Sequence, residues 1–73
     1  MNNSITKAQV EEINEKYFYE SREAGYDLLK EYTGIEAKPY TAYQFYDEAG
    51  NYVGDSENDD FEEIIRNSYI KII

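Results

Sequence analysis

Residues 6–34, TKAQVEEINEKYFYESREAGYDLLKEYTG, carry the pattern that decides the fold. Apolar side chains recur along this stretch at the spacing of one helix face, and Gly34 follows them as a typical left-handed helix end. The repeating positions are Val10, Ile13, Tyr17, Ala24, Leu28 and Tyr32, and Phe18 and Leu29 widen the stripe to one side. We therefore predict a long N-terminal helix over about residues 7–33.

The start of this helix has two local signals. Thr6 and Gln9, three residues apart, are typical of a capping box, in which each side chain bonds the backbone N–H of the other residue. Ile5 before the cap and Val10 inside the helix form the matching hydrophobic staple. Both signals predict that the helix begins directly after Thr6.

Small residues interrupt the middle of the stripe. Ser21, Ala24 and Gly25 lie close together, and glycine inside a helix costs about 1 kcal/mol relative to alanine. Two interpretations follow: a break that gives two helices, or one helix, kinked near Gly25, whose flat site admits another element or a partner chain. Because the stripe keeps its phase across Gly25, the pattern favours one helix.

The remaining elements complete an α+β fold. Pro39 prevents the helix from continuing, and alternating side chains predict a β-hairpin over about residues 41–54, with Gly50 in its loop. A second helix is expected over about residues 58–67 or longer, capped by Ser56 or Asn58. The final YIKII sequence fits either more helix or a short third strand.

The amino-acid composition limits the functions that the chain can have. Seventy-three residues with nine tyrosines and three phenylalanines indicate a single small domain, 1–73, rather than a disordered chain. The chain has no cysteine and no histidine, which removes thiol and imidazole catalysis and Cys/His metal sites. No glycine-rich phosphate loop is present. We therefore expect no enzymatic activity, no cofactor and no metal site.

An acidic run dominates the charge of the chain. Residues 47–63 contain eight carboxylates and no Lys or Arg, in a chain of formal net charge −9. These residues are Asp47, Glu48, Asp55, Glu57, Asp59, Asp60, Glu62 and Glu63. The run does not match a calcium-binding EF-hand loop, because a loop that starts at Asp55 has Asp60 where glycine is required and Arg66 where glutamate is required.

The acidic run has two interpretations. Carboxylates near the start of the second helix, from Asp59 to Glu63, are stabilised by the helix dipole. Asp55 and Glu57 lie outside that helix, where we expect their charges to add only repulsion. The second interpretation is a surface that meets a basic partner, because a negative field attracts basic surfaces and repels nucleic acid and anionic membranes.

Two tyrosines add to the second interpretation. On a continuous helix Tyr19 and Tyr26 lie one heptad apart, on the polar face opposite the apolar stripe. Tyrosine is enriched among the residues that carry binding energy in interfaces. We therefore predict that Tyr19 and Tyr26 contact a partner together with the eight acids.

The sequence DEAGNYVGDSENDDFEE, the tyrosine content, the short length and the absence of His and Cys resemble small acidic inhibitors encoded by phages and mobile elements. This group includes DNA-mimic, anti-restriction and anti-CRISPR proteins, which do not share one fold. The resemblance implies a binding protein that occupies a basic nucleic-acid-binding surface of a partner enzyme and blocks it, without binding nucleic acid itself. It also implies a cytoplasmic location, in the host if the protein is phage-encoded.

Two alternatives stay open at this point. The chain could be an antitoxin or immunity-type protein that neutralises a basic toxin. It could also be an adaptor or homodimer module, with Ser21, Ala24 and Gly25 buried between subunits. None of the three hypotheses involves a membrane.

Overall fold

The computed structural model describes residues 4–73, and its architecture is α+β, as the sequence predicts. Along these residues, five short strands alternate with three α-helices and one π-helical segment. In chain order they are β1 (Ser4–Ile5), α1 (Lys7–Glu15), the π segment (Lys16–Glu20), α2 (Arg22–Thr33), β2 (Glu36–Pro39), β3 (Tyr43–Tyr46), β4 (Tyr52–Asp55), α3 (Phe61–Asn67) and β5 (Lys71–Ile72).

The capping box at the start of α1 is confirmed. The backbone N–H of Gln9 donates to Thr6 Oγ1 at 3.1 Å, and the N–H of Thr6 donates to Gln9 Oε1 at 2.9 Å. Ile5 and Val10, the two residues of the predicted staple, are both buried in the core. The helix therefore begins where the local sequence signals place it.

The prediction of one helix over residues 7–33 is wrong in its middle, although its two ends are correct. The chain leaves helical geometry at Ser21, whose backbone is extended with φ −160° and ψ 162°. Ser21 Oγ then accepts the N–H of Ala24 at 3.0 Å and caps α2. The break lies four residues before the predicted kink at Gly25, so the two-helix interpretation is the correct one.

A change of helical period explains why the apolar stripe wrongly predicted one continuous helix. In the π segment the N–H of Ser21 donates to the carbonyl of Lys16 at 3.1 Å, five residues back rather than four. Because this turn contains one extra residue, the helical residues that follow it bury a different set of side chains. As a result Tyr26, Leu29 and Thr33 are buried in α2, whereas Leu28 is only half-buried.

Gly25 lets the two helical segments approach each other closely. A Cβ atom at this position would lie 2.7 Å from Cβ and 2.9 Å from Cα of Tyr17, closer than side-chain atoms normally pack. The small-residue site is therefore filled by Tyr17 of the same chain. Gly25 itself is therefore not available to a partner subunit, whereas Ser21 is exposed and Ala24 is half-buried.

The sheet contains one strand more than the predicted hairpin. Gly34 ends α2 with φ 78°, as predicted, and β2 then pairs antiparallel with β3. β2 was missed because its sequence, EAKP, is poor in strand-forming residues and contains Pro39. It is an edge strand in the order β2-β3-β4, where proline is tolerated.

The hairpin itself is confirmed, with strands β3 and β4 inside the predicted range of about 41–54 except for Asp55. Gly50 occupies the loop with φ 85°. The register pairs Gln44 with Asp55 and Tyr46 with Tyr52. This places the loop at one end of the hairpin and Asp55 at the other.

The second predicted helix corresponds to α3, but its cap differs. The side chain of Asp60, not of Ser56 or Asn58, accepts the N–H of Glu63 at 2.9 Å. After α3 the chain turns at Tyr69, which has φ 65°. The third strand then forms as β5, and it pairs in parallel with β1 from the other end of the chain.

The core lies between the helices and the three-stranded sheet. Its buried apolar residues come from almost every element: Ile5, Val10, Ile13, Tyr26, Leu29, Ile35, Phe45, Val53, Phe61, Ile64, Ile65 and Ile70. Tyr17 packs on this core from the π segment. Its ring centroid lies 5.7 Å from that of Tyr26 and 5.6 Å from that of Phe61.

Candidate partner-binding surface

The eight acids of residues 47–63 do not form one continuous surface. Asp47 and Glu48 belong to the loop at one end of the β3–β4 hairpin, and Asp55 lies at the other end, opposite Gln44. Asp47 Oδ1 accepts the N–H groups of Ala49 and Asn51, each at 2.9 Å, and so shapes the loop. The Glu48 side chain lies against Gly34 at the end of α2.

Asp55 builds the turn that leads into α3. Its Oδ1 accepts the N–H groups of Glu57 at 3.0 Å and Asn58 at 2.8 Å, and its Oδ2 accepts the hydroxyl of Tyr52 at 3.0 Å. Asp59 Oδ2 in turn accepts the N–H of Asp55 at 3.2 Å. The expectation that the Asp55 charge adds only repulsion is wrong, because this carboxylate organises the local backbone.

The helix-start interpretation is correct for part of the run. Asp60 caps α3, and Glu62 and Glu63 lie in its first turn. Glu62 also forms an ion pair with Arg66, with 3.4 Å between Oε2 and Nη2. Both side chains are largely exposed, so this pair contributes at most a few tenths of a kcal/mol.

The side chains of Glu57 and Glu63 neither cap a helix nor form an ion pair among the described residues. Among residues 4–73, neither the Glu57 nor the Glu63 carboxylate accepts a hydrogen bond or forms an ion pair, and both side chains are exposed. Most of the other acids also lack a basic partner within the described residues. In this part of the chain only three of the sixteen acids pair with a base, namely Glu20 with Lys16, Glu36 with Lys30 and Glu62 with Arg66.

The predicted tyrosine pair is separated by the helix break. Tyr19 lies in the π segment and is 85% exposed, as a contact residue requires. Tyr26 is only 7% exposed and packs in the core, because the phase shift after Lys16 turns it inward. The prediction that Tyr26 lies beside Tyr19 on a polar face is therefore wrong.

Phe18, rather than Tyr26, is the exposed aromatic residue beside Tyr19. It is 74% exposed on the π segment, although the helical pattern predicted that it widened the buried stripe. A single large apolar residue on a surface needs no function. Phe18 is different because Tyr17 packs against it in an edge-to-face arrangement, with 5.0 Å between ring centroids, and because Phe18 lines two acid-lined depressions.

The first depression is an open groove along α1, in which Phe18 and Tyr19 face the carboxylates of Glu11 and Glu15. The second is a more enclosed cavity that Phe18 also lines, bordered by Asp59 and Asp60. We call these two depressions, which share Phe18, the Phe18 surface. It joins acids of α1, which the sequence did not single out, to acids of the predicted run.

Tyr26 closes the bottom of the cavity. Its hydroxyl oxygen is buried and makes no hydrogen bond within residues 4–73, where buried polar groups usually have a partner. Burial, more than the neighbouring Tyr17, raises the pKa of Tyr26 to about 12. The hydroxyl is therefore protonated at neutral pH and can both donate and accept a hydrogen bond.

No cluster of three carboxylates in residues 4–73 has the arrangement needed to hold a metal ion. Over the same residues, no helix is both long enough and apolar enough to cross a lipid bilayer.

The turn built on Asp55 leads to a prediction about pH. Hydrogen bonds from the Asn58 side chain and backbone lower the pKa of Asp55 below its usual 3.8. A carboxyl whose pKa is lowered on folding stabilises the fold above its unfolded pKa, and this contribution is lost as the pH falls through the folded pKa. We expect a carbon-detected NMR titration to place the Asp55 pKa below 3.8.

Asn58→Ala is the matched variant for this titration, because it removes the side-chain donor and keeps both backbone donors. The pKa of Asp55 should rise in this variant. A pKa of Asp55 at or above 3.8 in the unchanged protein would mean that the turn does not hold the carboxylate as described.

Comparison of the chain with protein-family models, with curated protein sequences and with solved structures gives no match.

Proposed function

We propose that this protein is a non-enzymatic binding protein that occupies a basic, nucleic-acid-binding surface of a partner protein and inhibits it. Its contact region is the Phe18 surface together with the exposed glutamates Glu57 and Glu63. The partner is a nucleic-acid-binding enzyme, and the protein acts in the cytoplasm that contains that enzyme.

The observation that carries this proposal is the excess of carboxylates that the fold does not use. Only three acids in residues 4–73 are paired with bases, and within the same residues the carboxylates of Glu57 and Glu63 form no hydrogen bond and no ion pair. Unpaired like charges repel one another and destabilise a compact chain. A basic partner would neutralise them, since complementary potentials steer two proteins together.

The exposed aromatic side chains support the same proposal. Grooves that bind single-stranded nucleic acid combine Lys and Arg for phosphates with platforms on which bases stack. Phe18 and Tyr19 are exposed aromatic rings beside the carboxylates of Glu11 and Glu15. A surface of this chemistry complements both parts of such a groove.

The proposal is tested by recovering the partner from cells that make the protein and then titrating it. In the variant Glu57→Gln/Glu63→Gln, which removes two charges without a hydrogen-bond or ion-pair partner in residues 4–73, we expect a loss of stability of at most about 1 kcal/mol, from the position of Glu63 in the first turn of α3. The association rate with the partner should fall roughly threefold to tenfold at low salt. The difference should shrink above about 0.15 M salt, where charges are screened over about 8 Å.

Glu23→Gln/Glu31→Gln is the control, because it removes the same charge from exposed positions of α2. Equal effects of the two double variants would mean that the interaction depends on net charge alone and not on the proposed contact region. Nucleic acid should also displace the protein from its partner. Simultaneous binding of nucleic acid and this protein, or unchanged rates in the first variant at both salt concentrations, would contradict the proposal.

A further inference from the structure

We propose that the cavity beside Phe18 receives the guanidinium group of an arginine side chain from the basic partner. This inference rests on the proposed function and adds to it the chemical group that the surface recognises. It is carried by the cavity itself, by its two carboxylates and by the unpartnered Tyr26 hydroxyl.

The cavity has a volume of about 200 Å³ and lies between the helical segments and the turn before α3. Aromatic residues make up half of its lining, and two carboxylates also line it. The residues that matter here are Tyr17, Phe18, Tyr26, Phe61, Asp59 and Asp60. Phe18 is exposed and Tyr26 is buried, so the aromatic lining runs from the surface inward.

Three hydrogen-bonding groups in the cavity are not satisfied by the fold. Asp59 and Asp60 each use one oxygen for a backbone N–H, at 3.2 Å and 2.9 Å, and their other oxygens accept no hydrogen bond within residues 4–73. The Tyr26 hydroxyl is buried without a partner in the same part of the chain. Buried polar groups normally find partners, so a group that reaches the Tyr26 hydroxyl gains a bond that the protein alone leaves unmade, while the half-buried Asp59 and the exposed Asp60 offer free carboxylate oxygens.

Aromatic faces beside carboxylates select an organic cation. A cation over an aromatic ring is attracted by its quadrupole, and a carboxylate strengthens any hydrogen bond that the cation donates. Arginine fits better than lysine for two reasons. Its guanidinium is planar and stacks on rings, and its five N–H donors can reach two carboxylates and a hydroxyl at once.

The chain's own nearest arginine does not fill this role. Arg22 places its guanidinium 5.4 Å from the ring centroid of Tyr43, which packs on Tyr26. Neither Arg22 nor Tyr43 lines the cavity. The same stacking of a guanidinium on a tyrosine therefore occurs next to the cavity, and Tyr17 of the cavity wall raises the pKa of Arg22.

The probe for this inference is the peptide acetyl-Gly-Arg-Gly-amide, titrated against the isotope-labelled protein by NMR. We expect saturable shifts at Phe18, Asp59 and Asp60, with a Kd on the order of millimolar, as suits one side chain. The citrulline peptide has the same shape without charge and should not bind. The lysine peptide should bind at least threefold more weakly than the arginine peptide.

Tyr26→Phe is the sharpest variant, because it removes only the unpartnered hydroxyl, and it should weaken arginine-peptide binding at least threefold. Tyr19→Phe removes a hydroxyl outside the cavity and should leave the affinity unchanged. Thermal unfolding of both variants checks that they are folded. If Tyr26→Phe is unfolded, Phe18→Ala replaces it, because Phe18 is exposed and its truncation spares the core.

The outcomes separate this inference from the proposed function. If the arginine peptide does not bind, or binds no better than the citrulline peptide, the inference is overturned. The proposed function then stands or falls on the salt-dependent titration of Glu57→Gln/Glu63→Gln against the partner. Shifts that report self-association of the protein, without saturation by peptide, would also overturn the inference.

Discussion

Replacing Leu29 with alanine is expected to lower the free energy of unfolding by about 2–5 kcal/mol, as truncation of a buried leucine does. Leu29 is 0% exposed and belongs to the buried apolar core. A domain of this size has a total stability of roughly 4–11 kcal/mol, so the loss is a large part of it. Urea titration followed by far-UV circular dichroism measures the change.

Leu28→Ala is the control, and the pair of variants tests the phase of α2. The sequence pattern placed Leu28 at the centre of the buried stripe, whereas the structure leaves it half-buried. Its truncation should therefore cost about 1 kcal/mol, in proportion to the smaller apolar area removed. If Leu28→Ala costs more than Leu29→Ala, α2 does not have the rotation described above.

Replacing Gly25 with alanine is expected to destabilise the protein by about 1–3 kcal/mol, although alanine is the better helix former. On helix propensity alone, the change would stabilise α2 by up to about 1 kcal/mol. The added methyl group, however, would lie 2.7 Å from Tyr17 Cβ and would force the π segment away from α2. Chemical denaturation of the variant gives the sign directly.

Asp27→Ala reports helix propensity without the clash, because Asp27 is exposed on the same helix. This control should be neutral or slightly stabilising. A Gly25→Ala protein that is as stable as the original would show that the two helical segments are not in contact at this point. The result would then favour the flat, open site that the sequence had suggested.

Local signals predicted the ends of elements better than their interiors. Thr6, Gly34 and Gly50 each have a backbone conformation or hydrogen bond that a few neighbouring residues dictate, and each lies where the sequence placed it. The break at Ser21 could not be predicted in the same way. Whether a backbone N–H bonds the carbonyl four or five residues back depends on how Tyr17 packs against Gly25, which is a tertiary contact.

The strands were also difficult to predict from the local sequence. β2 has weak strand propensity and forms because β3 offers it an edge. β1 and β5 each contain two residues and exist only as a pair, although more than sixty residues separate them in the sequence. Propensity within a short window carries no information about such pairing.

Within the acidic run, the short aspartates and the longer glutamates differ in their hydrogen bonds to the backbone. Asp47, Asp55, Asp59 and Asp60 accept backbone hydrogen bonds in turns and at a helix start, which the short aspartate side chain reaches easily. The longer glutamates of the run accept none within residues 4–73. The aspartates of the run therefore shape the backbone, whereas its glutamates do not accept backbone hydrogen bonds in the same part of the chain, a distinction that net charge alone conceals.

The pairing of β1 with β5 determines how the domain responds to a pulling force. Because the two strands are parallel, force applied to the two ends of the chain draws them in opposite directions along their common axis. The bonds from Ile73 N–H to Ile5 and from Lys7 N–H to Ile73, 2.8 Å and 3.0 Å long, then bear the load together in shear. An antiparallel pair loaded at one end would instead open one bond at a time, so this small ribbon is the mechanical clamp of the domain.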